Sequence, residues 1–161
     1  MTSRPAAVKL LTLLIVVDPS QERVLLGKKK RGFGEGYFNG FGGKVEEGET
    51  IEQAARRELL EEAGIEAVDC VKVGLLHFHF DDKPVPWEVT VFSCRDYLGK
   101  PVETEEMEPQ WFSYKSIPYE MMWADDRLWY PLFLAGKRFE GTFNFENTHD
   151  LVSHTLRELR D

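Results

Sequence analysis

An α+β fold built on a mixed sheet with few helices is what the sequence predicts, on three observations. Strand-like runs lie on both sides of one well-marked helix, instead of alternating with helices as in a βαβ repeat. Two stretches have clear helical character, residues 50–63 and 125–136. The 161 residues are 42% hydrophobic and 12% aromatic, which suits one domain spanning 1–161 with a real core and argues against disorder.

The elements follow in chain order. "LLTLLIVVD" (10–18) and "RVLLGKK" (23–29) are rich in β-formers, and "DPSQE" between them is turn chemistry, so the two form a hairpin. Residues 31–48, "RGFGEGYFNGFGGKVEEG", hold seven glycines and read as ordered loop or short strand, with backbone passing close to something else. "TIEQAARRELLEEAG" is a helix with Thr50 as its cap and Gly64 as its stop. Strand runs at 70–80 and 87–94 flank the turn "DDKPVP", and "PQWFSY" (109–114) continues in the same manner. The second helix covers "DDRLWYPLFLAG", where Pro131 is expected to kink or shift it. The tail reads as a strand, a turn at "ENTHD", and then a strand or short helix.

Composition narrows the function. Net charge is −8, a poor match to a duplex nucleic-acid binder, which needs a basic footprint. A small polyanionic substrate stays compatible, because a bound metal inverts local charge. Cys70 and Cys94 are too few for a disulfide framework or a zinc site and read as reduced thiols. The run at 10–17 is far shorter than the roughly 20 residues that span a bilayer. It follows Arg4 and Lys9 as in a leader, but "DPSQER" comes next and not a small-residue cleavage site. A cytoplasmic protein with no membrane partner is the reading, and a mitochondrial or nuclear share is compatible with it.

The first helix carries the chemistry. Glu58, Glu61 and Glu62 crowd into five positions, where like charges three and four apart repel. At about 100° per residue, Glu58 and Glu62 fall within roughly 20° of Ile51, so the acids continue the apolar stripe. The solvated face is placed opposite, at Gln53, Arg57 and Leu60. Core-ward carboxylates need positive charge. Either local pairs supply it, such as Arg57 with Glu61, or a hard divalent cation does, Mg²⁺ or Mn²⁺ on carboxylate oxygens. A P-loop at "GFGGK" is rejected, since Val45 stands in the Ser/Thr position and Phe38 in that of the first glycine.

Residues 43–65, "GKVEEGETIEQAARRELLEEAGI", resemble the Nudix box, G-x5-E-x7-R-E-U-x-E-E-x-G-U, at every fixed position: Gly43, Glu49, Arg57, Glu58, Leu59, Glu61, Glu62, Gly64 and Ile65. Nine fixed positions make a specific signal. "VLLGKKKRGFGEGYFNGFGGKV", "MEPQWF" and "MWADDRLWYPLFL" extend the likeness over nearly the whole chain, to the MutT-type oxidised purine nucleoside triphosphatases. The resemblance implies an α/β/α sandwich around a mixed sheet. It also implies Mg²⁺-dependent hydrolysis of 8-oxo-dGTP and 2-hydroxy-dATP, with O6-methyl-dGTP a further substrate, to the monophosphate and pyrophosphate. The partner is then a small nucleotide, and the protein a monomer.

On this resemblance Glu58, Glu61 and Glu62 are metal ligands together with the Gly42 carbonyl, and Glu106 is a further ligand or the base that activates water. Within "ETEEME", Glu106 also reads as a plain solvated acid. Arg57 orients the glutamates and Glu49 braces the loop. Lys44, beside Gly42 and Gly43, either meets phosphate or is solvated. Asn39, Asp125 and Asp126 read the base edge, Trp123 stacks on it, and Phe33, Phe41, Phe78 and Met107 line its pocket. Thr12 and Lys29 reach the sugar or purine. Two adjacent acids can share a proton and so both donate and accept, whereas the bland account makes Asp125 or Asp126 the helix cap. Trp123 and Phe78 also suit ordinary core packing. Tyr37 and Phe38 stand where the resemblance would place a basic residue and a tryptophan, and His77 and His79 enter a strand near the pocket. Those departures bear on the range of bases. Two competing classes keep the box or the fold: a Nudix hydrolase of another nucleotide-linked substrate, with different pocket contacts, and a nucleotide-sensing module, which should lose box glutamates that this chain retains.

Overall fold

The computed structural model describes residues 7–160; Arg4 and both extremes of the 1–161 span lie outside the described residues. The chain runs β1 (Lys9–Asp18), β2 (Arg23–Lys29), β3 (Phe38–Asn39), α1 (Ile51–Ala63), β4 (Glu66–Ala67), β5 (Val71–Phe80) and β6 (Trp87–Cys94). It continues through β7 (Tyr97–Leu98), β8 (Met107–Ser113), two 3-10 turns at Tyr114–Ser116 and Tyr119–Met121, α2 (Asp126–Leu134), β9 (Arg138–Glu146) and β10 (Asp150–Leu159). The expected first hairpin, both helices and the strand runs at 70–80 and 87–94 are all present. The tail is a β-hairpin, and of its two readings the strand is the one realised.

The main sheet is mixed. Its order is β10-β9-β5-β6-β1-β2-β3, with β8 also on β2. β1 runs parallel to β6 and β5 parallel to β9; the other pairs are antiparallel. β1 shows why both faces must be covered. Alternate residues of a strand point to opposite faces. Ile15 and Val17 join one core with Trp129, Tyr130 and Phe133 of α2, while Leu14 and Val16 join another with Ala55, Leu59 and Ala63 of α1. One helix therefore lies on each face, which is the expected sandwich.

Helix α1 begins where its sequence says. Thr50 accepts from the Gln53 N–H at 3.1 Å while the Gln53 side chain accepts from the Thr50 N–H at 2.8 Å, a reciprocal cap of about 1 kcal/mol. It stops at Gly64, whose φ of 72° lies in the left-handed region that glycine adopts at little cost. Helix α2 runs through Pro131, which deprives the Arg127 carbonyl of an i+4 amide partner.

Only the last turn of β1 pairs with β2, at Val16–Asp18. Its earlier half is flanked by the glycine segment. Leu14 and Phe41 exchange backbone hydrogen bonds, the Thr12 N–H donates to the Gly43 carbonyl at 2.9 Å, and the Val45 N–H donates to the Leu10 carbonyl at 3.0 Å. This is the close backbone approach the glycines imply. A Cβ on Gly42 would stand 1.8 Å from the Thr12 carbonyl oxygen.

Candidate active site

Helix α1 and the glycine segment together form the acidic part of the site. Glu62 is 6% exposed, and its Oε1 accepts from the Gly42 N–H at 2.8 Å. Burial pushes its carboxyl up to about 8; the Gly42 bond opposes this, the Glu58 charge adds to it, and Lys29 opposes it. Glu58 presses on the backbone beside it: a Cβ on Gly43 would lie 2.8 Å from Glu58 Oε1. Burial raises the Glu58 carboxyl too, against the pull of Arg57.

Arg57 holds this cluster in shape. It donates to Glu49 at 2.8 and 3.0 Å, to Glu58 at 2.9 Å, to Glu61 at 3.2 Å, and to the Lys44 carbonyl at 3.1 Å. Glu49 in turn accepts from the Glu46 N–H at 2.8 Å, which ties the loop to the helix. Two expectations change here. Glu61 does not continue the apolar stripe, because its side chain is more than half exposed. Arg57 does not lie on the solvated face, because Glu49 draws it inward. Arg56 uses its reach differently, on Glu52 and on the Ala67 carbonyl.

Among the described residues no three histidine, cysteine or carboxylate side chains are gathered to cage a metal ion. The donor chemistry nonetheless suits a hard divalent cation: two half-buried to buried carboxylates lie against glycine backbone, and each is destabilised as an anion by burial and by neighbouring acids, Glu58 by Glu61 and Glu46 and Glu62 by Glu58 and Glu106. A bound divalent cation would offset that destabilisation.

A cavity of about 330 Å³ opens beside these groups, within the range of small-ligand sites. Thr12, Lys29, Phe33, Asn39, Gly42, Gly43, Lys44, Glu62, Phe78, Met107, Trp123, Asp125 and Asp126 all line it. Phe41 does not. Its ring is fully buried in the core under α1, packed at Gly27, because its backbone is pinned to Leu14. Glu58, Glu61 and Glu106 stand outside the lining. Glu106 is paired with Arg31, whose guanidinium holds its carboxyl below the usual range. Its charge still reaches Glu62. Its N–H donates to Thr104 Oγ1, whose hydroxyl donates to the Glu62 carbonyl, so the loop before β8 is tied to α1.

The other polar part is the acid pair of "WADD". Both acids are almost wholly buried. Asp125 occupies the N-cap position of α2 yet makes no side-chain capping bond; its Oδ2 accepts from Trp129 Nε1 at 2.8 Å. Burial raises the Asp125 carboxyl to about 6 against that bond. Burial, and then the Asp125 charge, raise Asp126 well above the usual carboxylate range. Burial of both acids, and the Asp125 charge beside Asp126, therefore oppose a doubly ionised pair.

Aromatic rings build the walls. Trp123 stacks on Phe33 at 4.9 Å and on His149 at 4.7 Å, and Tyr37 meets its edge at 5.4 Å. Several lining residues had no sequence pattern to mark them: Leu11, Leu13, Phe80, Trp87 and Phe145. The only available signal was strand alternation through Leu11 and Leu13; Trp87 needs the register that sets it opposite Lys9. His77 pairs with Glu88 at 3.2 Å, and neither His77 nor His79 lines the cavity.

Residues 9–133 match the NUDIX domain. The chain is 54% identical over 153 residues to the oxidized purine nucleoside triphosphate hydrolase of Danio rerio, covering 95% of this chain and 97% of that one. It is 50% identical over 151 residues to the protein of the same name from Mus musculus, covering 94% and 96%. Among solved structures, a MutT protein of Bacillus halodurans superposes with a TM-score of 0.80 at 28% identity, over 92% of this chain and 97% of that one.

Proposed function

This chain belongs to the NUDIX domain family, and from that premise we propose that it hydrolyses oxidised purine nucleoside triphosphates to the monophosphate and pyrophosphate with Mg²⁺. The substrates are 8-oxo-dGTP and 2-hydroxy-dATP, with O6-methyl-dGTP as a third, and the result is a nucleotide pool cleared of mutagenic precursors. The two animal relatives, similar over nearly their whole length, support this substrate class. The observation that carries it is one cavity that brings Glu62 and the glycine backbone together with a buried acid pair beside Trp123.

Glu58, Glu61 and Glu62 would hold the metal, joined by the Gly42 carbonyl and Glu106, and Mn²⁺ is a natural substitute. When bound, the metal offsets triphosphate charge and acidifies water. The chain's own groups do the remaining work. Arg57 aims Glu58 and Glu61. Lys44 draws the polyphosphate toward Glu62, and Lys29 reaches the sugar or purine. Glu106, Glu61 or Glu62 takes the proton of the attacking water. Trp123 stacks on the purine while Phe33, Phe78 and Met107 exclude water around it. Thr12 lies against the sugar, and Asn39 with the acid pair reads the base edge. Of that pair, one carboxyl donates and the other accepts. The protein acts as a monomeric single domain in the cytoplasm, with mitochondrial or nuclear shares, on small molecules and not on nucleic acid.

Pyrophosphate release from 8-oxo-dGTP, 2-hydroxy-dATP, O6-methyl-dGTP and dGTP, with Mg²⁺ and with EDTA, tests this reading. The expected result is metal-dependent release that favours the modified purines. Equal release from dGTP would mean that "WADD" does not read the lesion, and no release at all would shift the search to other nucleotide-linked substrates. Asp125→Asn should lower kcat/KM on 8-oxo-dGTP by about 10- to 100-fold, since a placed hydrogen-bonding acid is lost in a buried site. Unchanged rates would leave Asp125 as a packing partner of Trp129 alone.

A further inference from the structure

Trp123 stands in the wall between two cavities. One is the substrate cavity. The other, of about 540 Å³, opens on the far side and is lined by Leu128 of α2 and by His149 and Leu151, among others. Of the described residues, only Tyr37 and Trp123 line both. An indole has two faces, and here the rings that cover them line different cavities. Phe33, which lines the substrate cavity alone, stacks on Trp123 at 4.9 Å and 17°. His149, which lines the second cavity alone, stacks on it at 4.7 Å and 22°. The inner face therefore belongs to Phe33 and the outer face to His149. Tyr37 and Phe145 meet the indole nearly perpendicular, at 5.4 and 6.1 Å.

The turn between β9 and β10 presents His149 in this position. Asn147 and Thr148 stand at φ of 52° and 69°, and the His149 N–H donates to the Asn147 carbonyl at 2.8 Å. Asparagine tolerates the left-handed region, whereas a β-branched threonine there is an outlier. Such strain persists where the surroundings over-determine it, and here it accompanies a ring laid flat on Trp123. The edge of the imidazole also meets Tyr37, at 5.2 Å. Tyr37 stands where the family resemblance would place a basic residue, and this three-ring cluster is what the tyrosine joins.

A purine that stacks on Trp123 has one face to take. Asn39, Asp125, Asp126 and Glu62 line the inner side, and none of them lines the second cavity. The base therefore lies on the inner face, from which Phe33 withdraws. We propose that His149 is a positioning residue for purine stacking: its ring backs the outer face of Trp123 and holds the indole plane where a base can lie flat on the other side. This rests on the reading of Trp123 as the stacking partner of the purine. Without the imidazole, the indole is free to tilt into the second cavity, and any tilt reduces its overlap with the base. A purine presents a π-face whatever its edge carries, so the backing serves every purine alike. The edge readers choose the base, and His149 sets how firmly any base is held.

His149→Ala removes the ring, and His149→Phe puts back a flat one. His149 is exposed, so the alanine variant keeps the fold. In that variant KM for 8-oxo-dGTP and KM for 2-hydroxy-dATP should rise together by about threefold to tenfold, the effect of one stacked pair. Turnover at saturation should stay nearly unchanged, as for an interaction made equally in the ground and transition states. Phenylalanine should restore both KM values. Unmoved KM values in the alanine variant overturn the proposal. A rise for one purine only also overturns it, since that would place His149 at the base edge, and so does a phenylalanine that fails to rescue. Nuclear relaxation of the indole N–H groups gives a readout free of turnover. The Trp123 signal, assigned by its loss in Trp123→Phe, should become more mobile on the nanosecond scale in His149→Ala and regain its rigidity in His149→Phe. A Trp123 signal as rigid in the alanine variant as in the wild type is again contrary. Should the wild type hydrolyse neither purine, the parent reading fails, and this signal still decides whether His149 holds Trp123.

Discussion

Glu62→Gln is expected to abolish turnover, by about a thousandfold or more in kcat, while nucleotide binding survives. Glutamine has the same shape, and its Oε1 can still accept the Gly42 N–H that Glu62 accepts at 2.8 Å. The glycine segment and the cavity wall therefore stay in place. What is lost is the negative charge, and with it the strongest claim of this cluster on a cation. Steady-state kinetics together with calorimetric titration of a non-hydrolysable triphosphate analogue separate the two outcomes; unimpaired turnover would sink the assignment. The same variant has a stability signature in metal-free buffer. Burial raises the Glu62 carboxyl from an ordinary 4.5 to about 8, so between those values the folded state binds more protons than the unfolded one. That contribution to stability is full below about 4.5 and is lost as pH rises through about 8. Glutamine does not titrate, so its unfolding midpoint should lack this decline.

Gly42→Ala should be the most damaging single methyl in the molecule, costing more than about 3 kcal/mol of stability along with activity. The added Cβ would stand 1.8 Å from the Thr12 carbonyl oxygen and 2.6 Å from its carbon, both backbone atoms. β1 cannot retreat, because its other edge is paired with β6 from Lys9 to Val16. The segment must leave instead, and with it goes the N–H that Glu62 accepts. Urea unfolding and soluble yield report on this directly. Gly36→Ala in the same glycine-rich stretch is a useful contrast, since a Cβ there meets nothing within 4 Å and only its positive φ opposes the change. Near-equal stabilities for the two variants would show that the contact at Thr12 is not what requires glycine at position 42.

Much of this was legible because it is local. The cap at Thr50, the stop at Gly64 and the strand runs at 71–80 and 87–94 follow from neighbours a few residues apart. The box glutamates stand out through their spacing, and Asp125 and Asp126 through their place next to Trp123. What resisted reading depends on distant partners. Glu61 and Glu62 are adjacent and chemically identical, yet one is exposed and one buried, because α1 leans on β1 through one face. Phe41 sits among glycines that line the cavity and still turns into the core, since the pairing with Leu14 fixes its side. The inward pull on Arg57 comes from Glu49, eight residues earlier, and helical periodicity cannot see it. Trp87 becomes part of the cavity only through parallel pairing with a strand that begins at residue 9.

That parallel pairing also governs how the molecule comes into being. β1 cannot find its partner until residues 87–94 exist, and β5 must wait for Arg138–Glu146. Between them these pairings span nearly the whole chain, so loop closure has to precede most of the contacts that reward it. Folding is therefore expected on the slow side for its size, on a scale of about milliseconds to seconds. On the ribosome the α1 face can form while the other face still lacks its covering helix and strand. An incomplete chain would then leave the Phe78 and Phe80 side of β5 without its neighbour. A truncation within β9 should expose that edge and aggregate, not give a smaller and weaker enzyme.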